Sequence, residues 1–141
     1  MLALRSYRLV ISAALAIAYL GCYAPGTAFK RQQLTSNHAV IYVYRQSGPL
    51  SASLDPDITC GHATIAIVSG GYYPFVEQPG MVACYASSDA SSRIEFETRP
   101  ESEYFVTEVV APGLSEGAVS LKLVNSSRGL SEIESCNYTV K

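Results

Sequence analysis

Downstream of residue 22, no window of twelve residues repeats its apolar positions with a helical period, while short β-branched and aromatic runs recur between Pro/Gly turns. A chain of that kind has few ways to bury its apolar side chains. It must pair short strands and pack one sheet face on another. The runs are "AVIYVY" at 39–44, "HATIAIV" at 62–68, "YYPFVE" at 72–77 and "MVACYA" at 81–86. Three more follow: "SRIEFETRP" at 92–100, "EYFVTEVVAPG" at 103–113 and "GAVSLKLVN" at 117–125. In the first of these, Ile94 and Phe96 alternate with Glu95 and Glu97, which predicts one wet face. Ser69-Gly70-Gly71 predicts a hairpin, because glycine reaches positive φ without penalty, and Pro79-Gly80 predicts the next turn. "GPLSASLDP" at 48–56 reads as a loop with an edge-strand interior. "SSRGLSEIES" at 126–135 holds one helical turn with Leu130 and Ile133 inward, and "CNYTV" returns as a last short strand. The expectation is an all-β fold, a single antiparallel β-sandwich of about seven strands.

The N-terminus has a different character. "MLALRSYR" carries Arg5 and Arg8 and no acid, and "LVISAALAIAYL" at 9–20 is apolar but for Ser12 and Tyr19. Twelve helical residues span about 18 Å, too short for a ~30 Å hydrocarbon core. A basic flank, a short apolar run and small residues at its end describe an export signal. Gly21-Cys22 resembles the bacterial lipobox, in which the cysteine is acylated and becomes the new N-terminus. Gly21 fits that pattern; Leu20 is larger than usual and Tyr19 replaces the favoured Leu. The domains are therefore expected as a signal peptide at 1–21, lipidated Cys22 with a flexible tether at 22–37, and the sandwich at 38–141. Tyr rather than Asp at position 23 implies passage to the outer membrane in a diderm bacterium. Two or three acyl chains make a stable anchor, since each buried methylene contributes about 0.8 kcal/mol.

Charge and cysteine content narrow the partners. Removing Arg5 and Arg8 from ten basic side chains leaves eight against twelve acids, a net charge near −4. No Lys/Arg cluster exceeds Lys30-Arg31, so a nucleic-acid surface is not expected. With Cys22 acylated, Cys60, Cys84 and Cys136 remain for an oxidising compartment, giving one disulfide and one spare thiol. The spacing favours Cys60–Cys84, whose loop of roughly 23 residues would contribute about 3 kcal/mol, with Cys84–Cys136 as the alternative. Zinc finds no CxxC, and His38 and His62 lack paired ligand spacing. No cofactor is expected.

Three segments together carry a likeness to a known family: "AVIYVYR" at 39–45, "GGYYPFVEQPG" at 70–80, and "EYFVTEVV" at 103–110 followed by "LKLV" at 121–124. Their order and spacing resemble the small bacterial lipoproteins grouped as domain-of-unknown-function family 2846. The likeness covers roughly residues 38 to 134. It implies a prealbumin-like or carboxypeptidase-regulatory-like sandwich and a lipoprotein address, and no chemistry. The chain departs from the pattern at Gln78-Pro79-Gly80-Met81-Val82, where Pro-Pro-Gly and a histidine are usual, and at Gln46, where Pro is usual.

Candidate sites are sparse. A Ser-His-Asp hydrolase would need a serine beside His38 or His62, and there is no G-x-S-x-G. A pocket holding such a serine together with one of these histidines would revive that alternative. Asp55 and Asp57 flank Pro56, an incomplete shell for calcium and an ordinary turn arrangement. Glu95, Glu97, Glu101, Glu103 and Glu108 are expected on the solvated phases of their strands. Eight of the ten tyrosines lie beyond the signal, and Tyr72 and Tyr44 are expected to offer a contact surface for an envelope protein or a saccharide. The functional expectation is a non-catalytic binding module docked on a membrane by its lipid. The other alternative is a structural protein acting by edge-strand pairing, with Leu50 to Ile58 or the C-terminal "YTVK" as the open edge.

Overall fold

A computed structural model describes residues 24–48, 54–111 and 118–139. They form two sheets packed face to face, the all-β sandwich expected from the strand pattern. Nine strands and one helix run in the order β1 (Ala39–Tyr44), β2 (Asp57–Cys60), β3 (Ala63–Ala66), β4 (Gly71–Glu77), β5 (Gly80–Ala86), β6 (Asp89–Thr98), β7 (Ser102–Ala111), β8 (Ala118–Val124), α1 (Ser126–Ile133) and β9 (Asn137–Tyr138). One sheet has the order β8-β7-β1-β4-β9 and the other β3-β2-β5-β6.

Most ladders are antiparallel, but β1 pairs parallel with β7, and β9 pairs parallel with β4. A parallel pair needs a long crossover, which the excursion through the second sheet supplies for β1 and β7. The Ser69–Gly71 turn is not a hairpin. It carries the chain from β3 in one sheet to β4 in the other. Only long-range pairing distinguishes these two uses of a glycine turn. A true hairpin sits at Cys60-Gly61-His62-Ala63, where Gly61 takes φ 62° and leaves no room for a side chain beside Glu77. That hairpin makes a strand of Asp57–Cys60, just beyond the segment read from the sequence as a loop with an edge-strand interior.

β1 is buried along its whole length. On its inner phase Ile41 and Val43 join Ile58, Ile67, Phe75, Val82, Val106, Val119 and Leu121 between the sheets. On its outer phase Val40, Tyr42 and Tyr44 join Tyr72, Phe105, Ile133 and Cys136. A sandwich of two sheets covers only one face of each, so something must cover this second face. The cover is α1, β9 and the segment 24–37. Asn125 caps α1, its side-chain oxygen accepting from the Arg128 N–H at 2.9 Å. Gly129 lets the helix backbone lie against the Phe105 ring, where a Cβ would collide.

The segment expected as a free tether is part of the fold. Phe29 and Leu34 pack on the outer cluster, and Phe29 meets Tyr42 and Tyr72 edge-on at 5.4 and 5.2 Å. Ala28 bridges Asn137, and Tyr138 donates its N–H to the Thr27 carbonyl at 2.7 Å. Arg31 pairs with Glu103 and so ties the segment to β7. The outer face of the second sheet is open, with Arg93, Glu95 and Glu97 on the wet side of β6 and Thr59 paired to Thr64 across β2 and β3.

Candidate functional site

The aromatic surface expected at Tyr72 and Tyr44 does not exist. Tyr44 is 0% and Tyr72 3% exposed, because α1 and the segment 24–37 lie over them. Their hydroxyls serve the fold. Tyr72 accepts the Lys30 N–H at 3.3 Å, Tyr42 accepts the Gln32 N–H at 2.7 Å, and Tyr44 donates to the Glu132 carboxylate of α1. Burial and the neighbouring Glu132 push the Tyr44 phenol above its ordinary range.

Cys60 and Cys84 stand directly opposite each other on β2 and β5, 4.1 Å apart at Cα, and form the disulfide. Among the described residues Cys136 is the free thiol, buried under α1, where desolvation raises it to about 11. Cys22 lies outside the described residues. Both segments expected as open edges are occupied where described. Ile58 belongs to β2, an interior strand, and β9 has β4 on one side and Ala28 on the other.

His38 and His62 share one cleft of about 330 Å³ with Val76, Glu77 and Gln78. Glu77 is buried, and it accepts the His62 backbone N–H at 3.0 Å and pairs with His62 Nδ1 at 2.7 Å. This pair holds the Gly61 hairpin against β4. No serine is among the described residues lining the cleft. Among the described residues, no group of three His, Cys, Asp or Glu is placed to hold a metal ion. Asp55 faces Arg45 at 3.9 Å, and Asp57 opens β2, its carbonyl accepting from Ser87.

A second cavity, about 180 Å³, is lined by Arg45, Gln46, Thr107, Glu108, Val109 and Val110. Its origin is a mismatch in strand length. β1 stops at Tyr44, opposite Thr107, while β7 runs on to Ala111. Arg45 continues the inner phase of Ile41 and Val43 and is buried. Its guanidinium donates to the carbonyls of Leu54 and Ile67 and faces Asp55.

Glu108 is not on a solvated phase. It is 2% exposed, on the inner phase of β7 with Val106 and Val110, and among the described residues neither carboxyl oxygen has a hydrogen-bond partner. Burial raises its pKa to about 8; Asp55 pushes the same way, and Arg45 opposes them without cancelling the effect. The buried site thus favours the protonated form of the carboxyl group. The signal was present in the sequence, because Glu108 lies two residues from each of two valines and must share their side of the strand.

No protein-family model, no curated protein and no solved structure matches the chain.

Proposed function

We propose that this chain is an exported bacterial envelope protein, anchored by acyl chains on Cys22, whose sandwich is a non-catalytic binding module with its site at Arg45 and Glu108. The observation that carries the reading is the carboxyl group of Glu108, buried beside a cavity with no partner for either oxygen among the described residues. An unsatisfied buried polar group costs about 1–3 kcal/mol, and a guest that supplies the missing donors removes that cost. The Cys60–Cys84 disulfide supports an oxidising compartment, in keeping with the basic and apolar N-terminus.

The anchor has a structural consequence. Ala24 is 3% exposed and its carbonyl accepts from the Asn137 side chain at 3.1 Å. Only Tyr23 separates it from Cys22, a reach of at most about 7 Å. An acylated Cys22 would hold the sandwich directly on the bilayer surface, with the 24–28 end down and no spacer.

Two measurements test the reading. Mass spectrometry of protein from a bacterial host should show acylated Cys22, and Cys22→Ser should move the protein out of the membrane fraction. An unmodified sulfur at Cys22 would remove the anchor. Native mass spectrometry of protein extracted from envelopes should show a small bound molecule that is lost in Gln46→Trp, which fills the mouth of the cavity. Wild type and Q46W equally bare would overturn the binding role.

A further inference from the structure

The reading of this cavity as a binding site can be taken to the chemistry of its guest, and the argument rests on that reading. Arg45 and Asp55 offset each other's charge. With Glu108 protonated the three groups sum to zero, and with Glu108 ionised they sum to −1. A guest that takes the place of the proton must therefore bring one positive charge. Lys122 of β8, opposite Thr107, is exposed and lies on the outer phase of the sheet, away from the Glu108 side. The facing residue of β8 is Leu121, which is apolar.

A bare metal ion fits poorly. Calcium takes six to eight oxygen ligands, and Glu108 offers two. Val110, on the same phase as Glu108, gives the cavity an apolar wall instead, suited to carbon. About 180 Å³ is the space of a few water molecules at ~30 Å³ each, enough for a charged head and a short alkyl chain. Glu108 carries two unused acceptor oxygens, and an ammonium nitrogen carries three N–H donors.

We propose that the cavity binds the head of an organic ammonium ion, its N–H groups donating to the Glu108 carboxylate and its carbon chain lying along Val110. On binding, the Glu108 proton leaves to solvent and the ammonium charge replaces it. The covalent bonds of the guest are untouched.

The test is calorimetric titration of the full chain in detergent micelles at pH 7, in two buffers that differ in ionisation heat. The probes are n-butylammonium chloride, n-butanol and sodium butyrate. Butylammonium should saturate, release close to one proton per amine, and bind at least about tenfold more tightly than either other probe, as a charge-assisted hydrogen bond requires. Glu108→Gln keeps shape and donors but cannot ionise; it should lose both the affinity and the proton release, while thermal unfolding shows that it stays folded.

Equal binding by E108Q, or binding of butylammonium without proton release, overturns the ammonium assignment. Tighter binding of butanol or butyrate, lost in Q46W, also overturns it while leaving the cavity a binding site. Saturation by none of the three overturns it as well, and the binding role then stands or falls on the native mass measurement above.

Discussion

On the inner face of β1, Ile41 and Val43 pack on aliphatic side chains of both sheets, and the strand is followed on that phase by Arg45, across from Glu108. On the outer face, Tyr42 and Tyr44 pack under α1 and the segment 24–37. Both faces are buried, and both carry polar atoms. The difference lies in their partners. Each outer hydroxyl has a hydrogen bond, to the Gln32 N–H or the Glu132 carboxylate, and Tyr72 beside them has the Lys30 N–H. Both Glu108 oxygens have none among the described residues. Satisfied buried polar groups hold a fold together; an unsatisfied one beside a cavity is free to meet something else.

The largest expected effect concerns pH. Between 4.5 and about 8 the folded protein keeps a Glu108 proton that the unfolded chain has released. The contribution is fully present below the unfolded value and is lost as pH rises through the folded one. That loss amounts to at most roughly 5 kcal/mol. Chemical denaturation from pH 5 to pH 9 should show falling stability in the wild type and a flattened slope in Glu108→Gln. A slope unchanged by E108Q would make the inner face as inert as the outer. Glu132 works with the opposite sign: its hydrogen bond from Tyr44 lowers its pKa, so its contribution is lost only as pH falls through the acid range.

Next in size is the aromatic packing. Tyr42→Ala removes a fully buried ring stacked on Phe105 at 5.2 Å, and should cost about 3–5 kcal/mol. A cost below about 1 kcal/mol by urea unfolding would show that α1 and residues 24–37 do not cover that ring in solution. Removing the Cys60–Cys84 bridge with paired serines should cost about 3 kcal/mol, with the far-ultraviolet spectrum retained. Smallest is Tyr44→Phe, which deletes one hydroxyl that donates to a carboxylate and should cost about 1–2 kcal/mol. No measurable cost there would weaken the contrast, since the outer hydroxyls would then not be structural.

The two faces were also unequally legible. The six apolar residues of β1 announced a strand, and its bounds in the structure are those expected from sequence. The alternation at Ile94–Glu97 correctly marked the wet side of β6. Tyr72 and Tyr44 were misjudged because period-two reasoning assigns two faces but does not say whether a second layer covers the outer one. Glu108 was misjudged for a related reason. Its charge suggested water, whereas its phase, shared with Val106 and Val110, placed it inside. Where residue type and strand phase disagreed, phase decided, because neighbouring residues on a paired strand cannot rotate independently.

What the amino-acid order determined by itself was local: short strands, turn positions, the helical turn near Leu130, and hence an all-β body. What only the tertiary structure decided was which sheet each strand joins, which cysteine faces Cys60, and that residues 24–37 are a layer rather than a leash. The reason is range. Backbone sterics and alternation act over a few residues, whereas strand partners, a covered second face and a cavity left by a strand that stops early depend on segments far apart in the chain.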